Sequence, residues 1–311
     1  MSDRTLCIYH HNCADGFTGA WVVREALGED NVEFHPGVYS KSPPDVSGRH
    51  VILVDFSYKQ AVVEAMAKQA ASILILDHHE SAQKEIGHYP EPPAQTHNEG
   101  LIEAGMPVAA VFDMERSGCM IAWDYFFPEL PAPLLLSRIE DRDLWRFQFE
   151  NTRRIQAAVF SYPYTFPVWD RLMATPLGML ASEGEALERK HFKDINEFIE
   201  VAATRKVIAG YDVPVINIPY FFGSDACHLL CQGQPFAAYY WDKHDGSRVW
   251  GFRSDKEHGI NVAEIAALFG GGGHPNASGC VIPPQGGLNI NWLYMAKPAD
   301  WVEFVAEEVS K

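Results

Sequence analysis

The sequence predicts an α/β fold: an N-terminal domain built on a parallel sheet, followed by a smaller C-terminal α/β domain. Two observations lead there. Three uninterrupted apolar runs, Leu6-Cys7-Ile8-Tyr9, Val51-Ile52-Leu53-Val54 and Ile73-Leu74-Ile75-Leu76, are separated by helix-compatible stretches. Strands apolar on both faces belong to a sheet covered by helices on both sides. Each run also ends on polar residues, His10-His11, Asp55 and Asp77-His78-His79, and ligands of open α/β sheets gather at that edge.

Taken in order, the first strand leads into a helix over 17–27, and the second into a helix over 60–71. Residues 87–105, with Pro90, Pro92, Pro93, Gly100 and Gly105, read as loop. Helices follow at 118–127 and 133–145. Scattered aromatics and prolines leave 150–180 unassigned, and 183–209 reads as one long polar helix. Strands are expected at 213–218, 236–241 and 249–253. A helix at 261–269 has Asn261 as its N-cap. The implied organisation is a catalytic domain at 1–182, a helical linker at 183–210 and a substrate-binding domain at 211–311, without internal repeats.

The chain has 311 residues, of which 47% are hydrophobic and 21% charged, the composition of a folded soluble protein. There is no apolar run of about 18 residues, and the N-terminus lacks the basic start and apolar core of a signal peptide. The expectation is a cytoplasmic protein with no membrane partner. The six cysteines form no CxxC pair and do not suggest a secreted disulfide framework. The net charge of −16, from 25 basic and 41 acidic side chains, disfavours a partner as polyanionic as long nucleic acid. A phosphate substrate would have to be short and locally held, with bound cations supplying part of the positive charge. A homodimer is compatible with the sequence but not encoded in any visible motif.

The strand ends place His11, Asp15, Asp55, Asp77, His78 and His79 at one sheet edge. Each Asp alone could cap the following helix. Two adjacent imidazoles after an Asp demand partners or ligands. The set as a whole points to a divalent-metal site, suited to Mn²⁺ with Mg²⁺, Co²⁺ and Zn²⁺ as competitors. Several carboxylates can hold two ions about 3.5–4 Å apart, which clamp phosphate oxygens and activate water.

Asp77-His78-His79 at a strand end resembles the motif that names the DHH phosphoesterase superfamily. His11-Asn12-Cys13-Ala14-Asp15-Gly16 resembles its first motif and Val54-Asp55 its second. Ile139-Glu140-Asp141-Arg142-Asp143 lies where the fourth would supply another Asp. Gly271-Gly272-Gly273-His274-Pro275-Asn276-Ala277-Ser278-Gly279, with Arg253 on the preceding strand, resembles the DHH-associated C-terminal domain. The likeness is to the nanoRNase and short-oligonucleotide phosphodiesterase branch.

That resemblance implies a two-ion, manganese-type centre with His11, Cys13, Asp15, Asp55, His78 and Asp141 as ligands, Asp55 bridging. Asp141 is favoured over Asp143 on motif register. The resemblance further implies that Asp77 orients a histidine and that His79 acts on the scissile phosphate. Arg253, Gly271, Gly272, Gly273 and His274 would contact the substrate, a short oligonucleotide, dinucleotide or small nucleotide. In one departure, Cys13 stands where the family has Asp; a thiolate is softer and favours Zn²⁺. His10 is one residue off register and reads as packing. The rival readings are a phosphomonoesterase on a nucleotide such as 3′-phosphoadenosine 5′-phosphate, and a non-catalytic nucleotide-binding regulator.

Overall fold

In the computed structural model, residues 4–39 and 41–284 are described. The chain divides into two compact units, Met1–Glu188 and Arg189–Lys311.

The first unit opens with β1 (Thr5–His10) and α1 (Ala14–Leu27), then β2 (Val32–Gly37) and β3 (His50–Val54). Next come α2 (Gln60–Ala67), β4 (Ser72–Asp77), α3 (Glu80–Ile86), α4 (Glu99–Glu103) and β5 (Val108–Phe112). The helices α5 (Gly118–Phe126), α6 (Leu134–Asp143), α7 (Thr152–Phe160) and α8 (Phe166–Ala174) follow, and α9 (Leu177–Ala202) runs across the division between the units. The five strands are parallel, in the order β2-β1-β3-β4-β5. The chain therefore reverses direction across the sheet between β1 and β3, the switch point where such sheets bind ligands.

The apolar runs are continuous because both faces are covered. Cys7, Ile52, Val54, Leu74, Leu76 and Ala109 join the core formed with α1 and the helices from α5 to α8. Their alternating neighbours Leu6, Ile8, Val51, Leu53, Ile73, Ile75 and Ala110 join the opposite core, with Val63 and Met66 of α2 and Ile86 of α3. This is the period-two geometry of a strand buried on both sides. Residues 150–180, silent in the sequence, hold α7, α8 and the start of α9. Their pattern is obscured because Trp169 lies wholly buried against α1, its indole donating to Thr18 Oγ1 at 2.9 Å. The loop expected over 87–105 contains the single turn α4.

The second unit holds the rest of α9 and then β6 (Thr204–Ile208), β7 (Tyr211–Asn217), α10 (Tyr220–Leu230), β8 (Ala237–Asp242) and β9 (Arg248–Arg253). It ends, within the described residues, with α11 (Val262–Ala267), β10 (Gly272–His274) and β11 (Ala277–Ile282). The long helix expected over 183–209 stops at Ala202. Residues 204–208 are instead an edge strand paired antiparallel with β7, since the alternating Thr204-Arg205-Lys206-Val207-Ile208 has its partner only in the folded sheet. The six strands run β10-β11-β9-β8-β7-β6, with only β7 and β8 parallel. Asn261 caps α11, accepting from Ala263 N at 3.0 Å. All six cysteines are free thiols. No helix among the described residues is long and apolar enough to cross a membrane.

Close backbone approach sets the register of helices in the first unit. A Cβ on Gly184 of α9 would lie 1.7 Å from the Arg154 carbonyl oxygen of α7. Gly184→Ala should therefore lower the unfolding free energy by about 1–3 kcal/mol, the cost of overpacking a close contact. Denaturant melts read this directly; an unchanged midpoint would contradict so tight a crossing.

Candidate metal centre

The site grows from three loops at the carboxyl edge of the first sheet. β1 ends at His10, and the turn through Asn12, in the left-handed region at φ 53°, carries the chain to Cys13 at the N-cap of α1. Asp15 follows in the first turn of the helix. Gly16 is needed there: a Cβ on it would lie 2.7 Å from both Cβ and the carbonyl oxygen of His10. β3 delivers Asp55, itself left-handed at φ 52° and held by a 2.9 Å bond from its N–H to the Leu76 carbonyl. A non-glycine residue pays conformational energy for that backbone, a feature common at functional sites. β4 delivers Asp77, His78 and His79. The N-terminus of α5 closes the floor. Gly118 lacks the side chain that would strike Asp55, and Cys119 N–H donates to Asp15 Oδ1 at 3.2 Å.

These side chains form two joined donor sets. His10, Cys13 and Asp55 have donor atoms within 4.8 Å of one another, as do Asp15, His78 and Asp143. The sets meet where His78 Nε2 lies 3.1 Å from Asp55 Oδ1 and 3.4 Å from Asp143 Oδ2. Asp55 Oδ2 lies 3.4 Å from His10 Nδ1. Asp77 makes a further group with Asp55 and His79, their donor atoms within 4.8 Å of one another, but its oxygens are already engaged by protein donors. It accepts from Ser57 Oγ at 2.6 Å, His78 N–H at 2.8 Å and His79 Nδ1 at 2.6 Å. His79 is thus held by Asp77, with its Nε2 3.4 Å from the Tyr39 hydroxyl.

Two expected site residues are placed differently. His11 is exposed beyond the end of β1 and belongs to neither donor set, whereas His10 belongs to one. The strand runs one residue further than its apolar run, so the turn begins after His10. Asp141 is buried but satisfied: it accepts from Gln148 N–H at 2.8 Å, Phe149 N–H at 3.3 Å and Thr152 Oγ1 at 2.5 Å. It fastens the start of α7, and Asp143 takes the place beside His78. On α6, residue 143 lies four and seven positions after the buried Ile139 and Leu136, on one helix face, while 141 points elsewhere. Tyr39 and Ser57 carried no sequence signal.

Arg253, Gly271, Gly272, Gly273 and His274 lie in the second unit. Arg253 donates to Ser224 Oγ and the Phe252 carbonyl, both at 2.7 Å. The glycine run has steric work of its own. Gly270 ends the α11 segment at φ 74°. A Cβ on Gly271 would lie 2.1 Å from the Gly279 carbonyl oxygen. Residues Gly272–His274 form the edge strand β10 rather than an open loop.

Asp15 Oδ2 and Asp55 Oδ2 are buried and accept no hydrogen bond among the described residues. Buried carboxylates so placed are costly unless a cation completes them. The titration pattern carries the same strain. Burial, with Asp55 and Asp143 adding, pushes Asp15 up to about 8. Burial also raises Asp143, and the Asp55 charge adds to it against His78. Burial opposes charge on His78, but its bond to Asp55 and the nearby Asp143 prevail, raising it to about 10. Burial works against Asp55 too, yet His10 and His78 beside it hold its carboxyl below the usual range. Burial pushes the Cys13 thiol well up, reinforced by Asp55, Asp143 and Asp15, so its thiolate needs a cation beside it. The residues fit divalent metal: oxygen and imidazole donors in excess, with one sulfur.

No family model matches the chain. A curated relative, an uncharacterized protein of Acanthamoeba polyphaga mimivirus, is 27% identical over 297 residues, covering 88% of this chain and 66% of the relative, so the chain spans just under two thirds of that relative's length. Among solved structures, the DHH domain of a member of the S1p family of ribosomal proteins superposes with a TM-score of 0.56 at 13% identity, over 99% of this chain and 87% of that one. The chain has the DHH-domain fold. A structure of exonuclease RecJ bound to manganese gives a TM-score of 0.49 at 14% identity, over 98% of this chain and 90% of that one. Within the triplet Asp77-His78-His79, Asp77 accepts from the His79 ring and His78 joins the donor set of Asp15 and Asp143.

Two predictions follow from the charges. In metal-free protein, the proton held by Asp15 stabilises the fold less and less as pH rises from its ordinary 3.8 to about 8. The proton on His78 does the same from 6.5 to about 10. The depressed Asp55 and Asp77 lose their contribution as pH falls through the carboxylate range. Metal-free melting temperature should therefore peak in mild acid and decline toward alkaline pH, and added divalent metal should lift the alkaline limb. A metal-free melting temperature that climbs steadily from mild acid to alkali would contradict the crowding. Asp141→Asn should cost about 1–3 kcal/mol of stability while metal still binds. Asp143→Asn should weaken metal binding by about 10-fold or more with little loss of stability. Calorimetric metal titration and denaturant melts compare the two, and the reverse pattern would restore Asp141.

Proposed function

We propose that the protein is a divalent-metal-dependent phosphoesterase that hydrolyses short oligonucleotides or dinucleotides to mononucleotides. The observation that carries this reading is the pair of donor sets joined through Asp55 and His78, with buried Asp15 and Asp55 oxygens that accept no hydrogen bond among the described residues. His10, Cys13 and Asp55 would hold one ion and Asp15, His78 and Asp143 a second, with Asp55 shared between them. Manganese is the first candidate; magnesium, cobalt and zinc are competitors, and the Cys13 sulfur favours the softer of these. Ions bound there supply Lewis-acid polarisation of phosphate oxygens and activation of water near neutral pH.

The chain's own contribution is orientation and proton transfer. Asp77 fixes the His79 ring through Nδ1, and Nε2, 3.4 Å from the Tyr39 hydroxyl, would serve the reacting phosphate. Burial disfavours charge on His79, but the Asp77 carboxylate outweighs it and raises the pKa. An imidazolium held this way can donate from Nε2 to the departing oxygen. Asp15, Asp55 and Asp143 exclude any substrate anion unless cations are present, which makes metal obligatory. The net charge of −16 supports a short substrate over a long strand. Arg253 and His274 of the second unit remain candidates for substrate contact.

The test is purified protein with each of the four metals against dinucleotides, short oligomers and 3′-phosphoadenosine 5′-phosphate. Nucleotide release should require metal and stop with chelator, and Asp55→Ala should reduce it more than about 100-fold with the fold intact. Release of inorganic phosphate alone would shift the reading to a monoesterase. Turnover indifferent to chelator or to Asp55→Ala would overturn it.

A further inference from the structure

Beside the donor sets, within the first unit, lies a cavity of about 300 Å³. It falls at the small end of ligand pockets, which run about 300–1,000 Å³, and suits one ring system rather than a run of them. Its lining is unusual in kind. Five aromatic rings face it, from Tyr9, Phe17, Phe160, Tyr162 and Tyr164, and no Lys or Arg is among its described lining residues. An aliphatic chain would call for aliphatic walls, and a phosphate for cations. Flat aromatic walls call for a flat ring.

The walls are held before any ligand arrives. Phe17 meets Trp169 edge-on at 4.9 Å and stacks on Phe166 at 5.1 Å and Tyr164 at 5.7 Å. The Tyr162 hydroxyl donates to Glu183 Oε1 at 2.6 Å. Phe160, the last residue of α7, is 49% exposed and stands at the mouth. Pro36 and Pro163 add to the lining, and so do two polar side chains, His11 and Asn12, on a turn pinned by a 3.0 Å bond from His11 N–H to the Gly37 carbonyl.

Two strands of evidence tie this cavity to the metal centre. His11 and Asn12 lie between His10 and Cys13, so one wall of the cavity and one donor set are parts of a single turn. On the other side, Arg142 immediately precedes Asp143, and its guanidinium is 6.0 Å from the Phe160 ring centroid. A group seated among the aromatics is therefore flanked on both sides by residues adjoining candidate metal ligands.

We propose that this cavity is the subsite for a nucleobase of the substrate. The base stacks among Phe160, Phe17 and the tyrosines, His11 and Asn12 meet its hydrogen-bonding edge, and Arg142 meets the adjoining phosphate. The proposal rests on the phosphoesterase reading for the position of that phosphate. It also gives His11, left outside both donor sets, a task of its own.

The experiment uses the dinucleotide pApA, its abasic analogue lacking one or the other base, and free adenosine, with wild type, Phe160→Ala and His11→Ala. Wild type should prefer pApA over the appropriate abasic analogue in kcat/KM by roughly 5- to 150-fold, the range expected for one stacked base. Phe160→Ala should collapse that ratio by at least about 5-fold, mainly through KM, and weaken adenosine binding measured by calorimetry; His11→Ala should do so to a smaller degree. If wild type turns over pApA but the ratio and adenosine binding are untouched in both variants, the subsite is wrong and the phosphoesterase reading stands. If no phosphoester is cleaved, yet adenosine binds and Phe160→Ala releases it, the cavity's assignment stands and the phosphoesterase reading falls.

Discussion

Three carboxylates, Asp15, Asp55 and Asp143, are crowded with two imidazoles at the carboxyl edge of a parallel sheet, and the first unit is organised around that crowding. Asp15 and Asp55 are almost wholly buried, where a lone carboxylate is strongly disfavoured. His10 and His78 neutralise part of the charge, and burial, with the remaining negative charge adding, raises Asp15 and Asp143. Such an arrangement stores unfavourable electrostatics in the absence of a cation, and divalent metal is the chemistry that relieves it.

The fold makes the crowding achievable by removing side chains where backbones must close on it. Gly16 brings α1 against the end of β1, and Gly118 brings the N-terminus of α5 against Asp55. The positive end of that helix faces Asp15, and the Cys119 N–H satisfies one of its oxygens. Asp55 accepts a left-handed backbone to sit between the two donor sets. Around this centre, Asp77 and Asp141 are carboxylates of a different kind. Both are saturated by protein donors, one holding His79 and the other the start of α7. Burial alone thus does not mark a ligand.

Cys13 distinguishes the centre chemically. Sulfur in one donor set and only oxygen and nitrogen in the other makes the two positions unequal in softness. The aromatic cavity beside them is equally asymmetric, rings on its walls and hydrogen-bonding groups on one turn. Together they place concentrated charge beside flat apolar surface.

Much of this was legible in the sequence. Apolar runs at 6–9, 51–54 and 73–76 predicted a doubly covered parallel sheet, and the polar residues at their ends located the centre, because strand periodicity and edge chemistry are local properties. What stayed hidden depended on direction and partnership. Whether His10 or His11 enters the site depends on where β1 stops, and Asp143 rather than Asp141 on the phase of α6. The edge strand β6 depends on pairing with β7. The packing of Gly271 against the Gly279 carbonyl involves chain eight residues away. The sequence by itself determined which residue types reach the sheet edge; only the tertiary structure decided which of two neighbours faces inward, because a shift of one residue reverses a strand side chain and turns a helical one by about 100°.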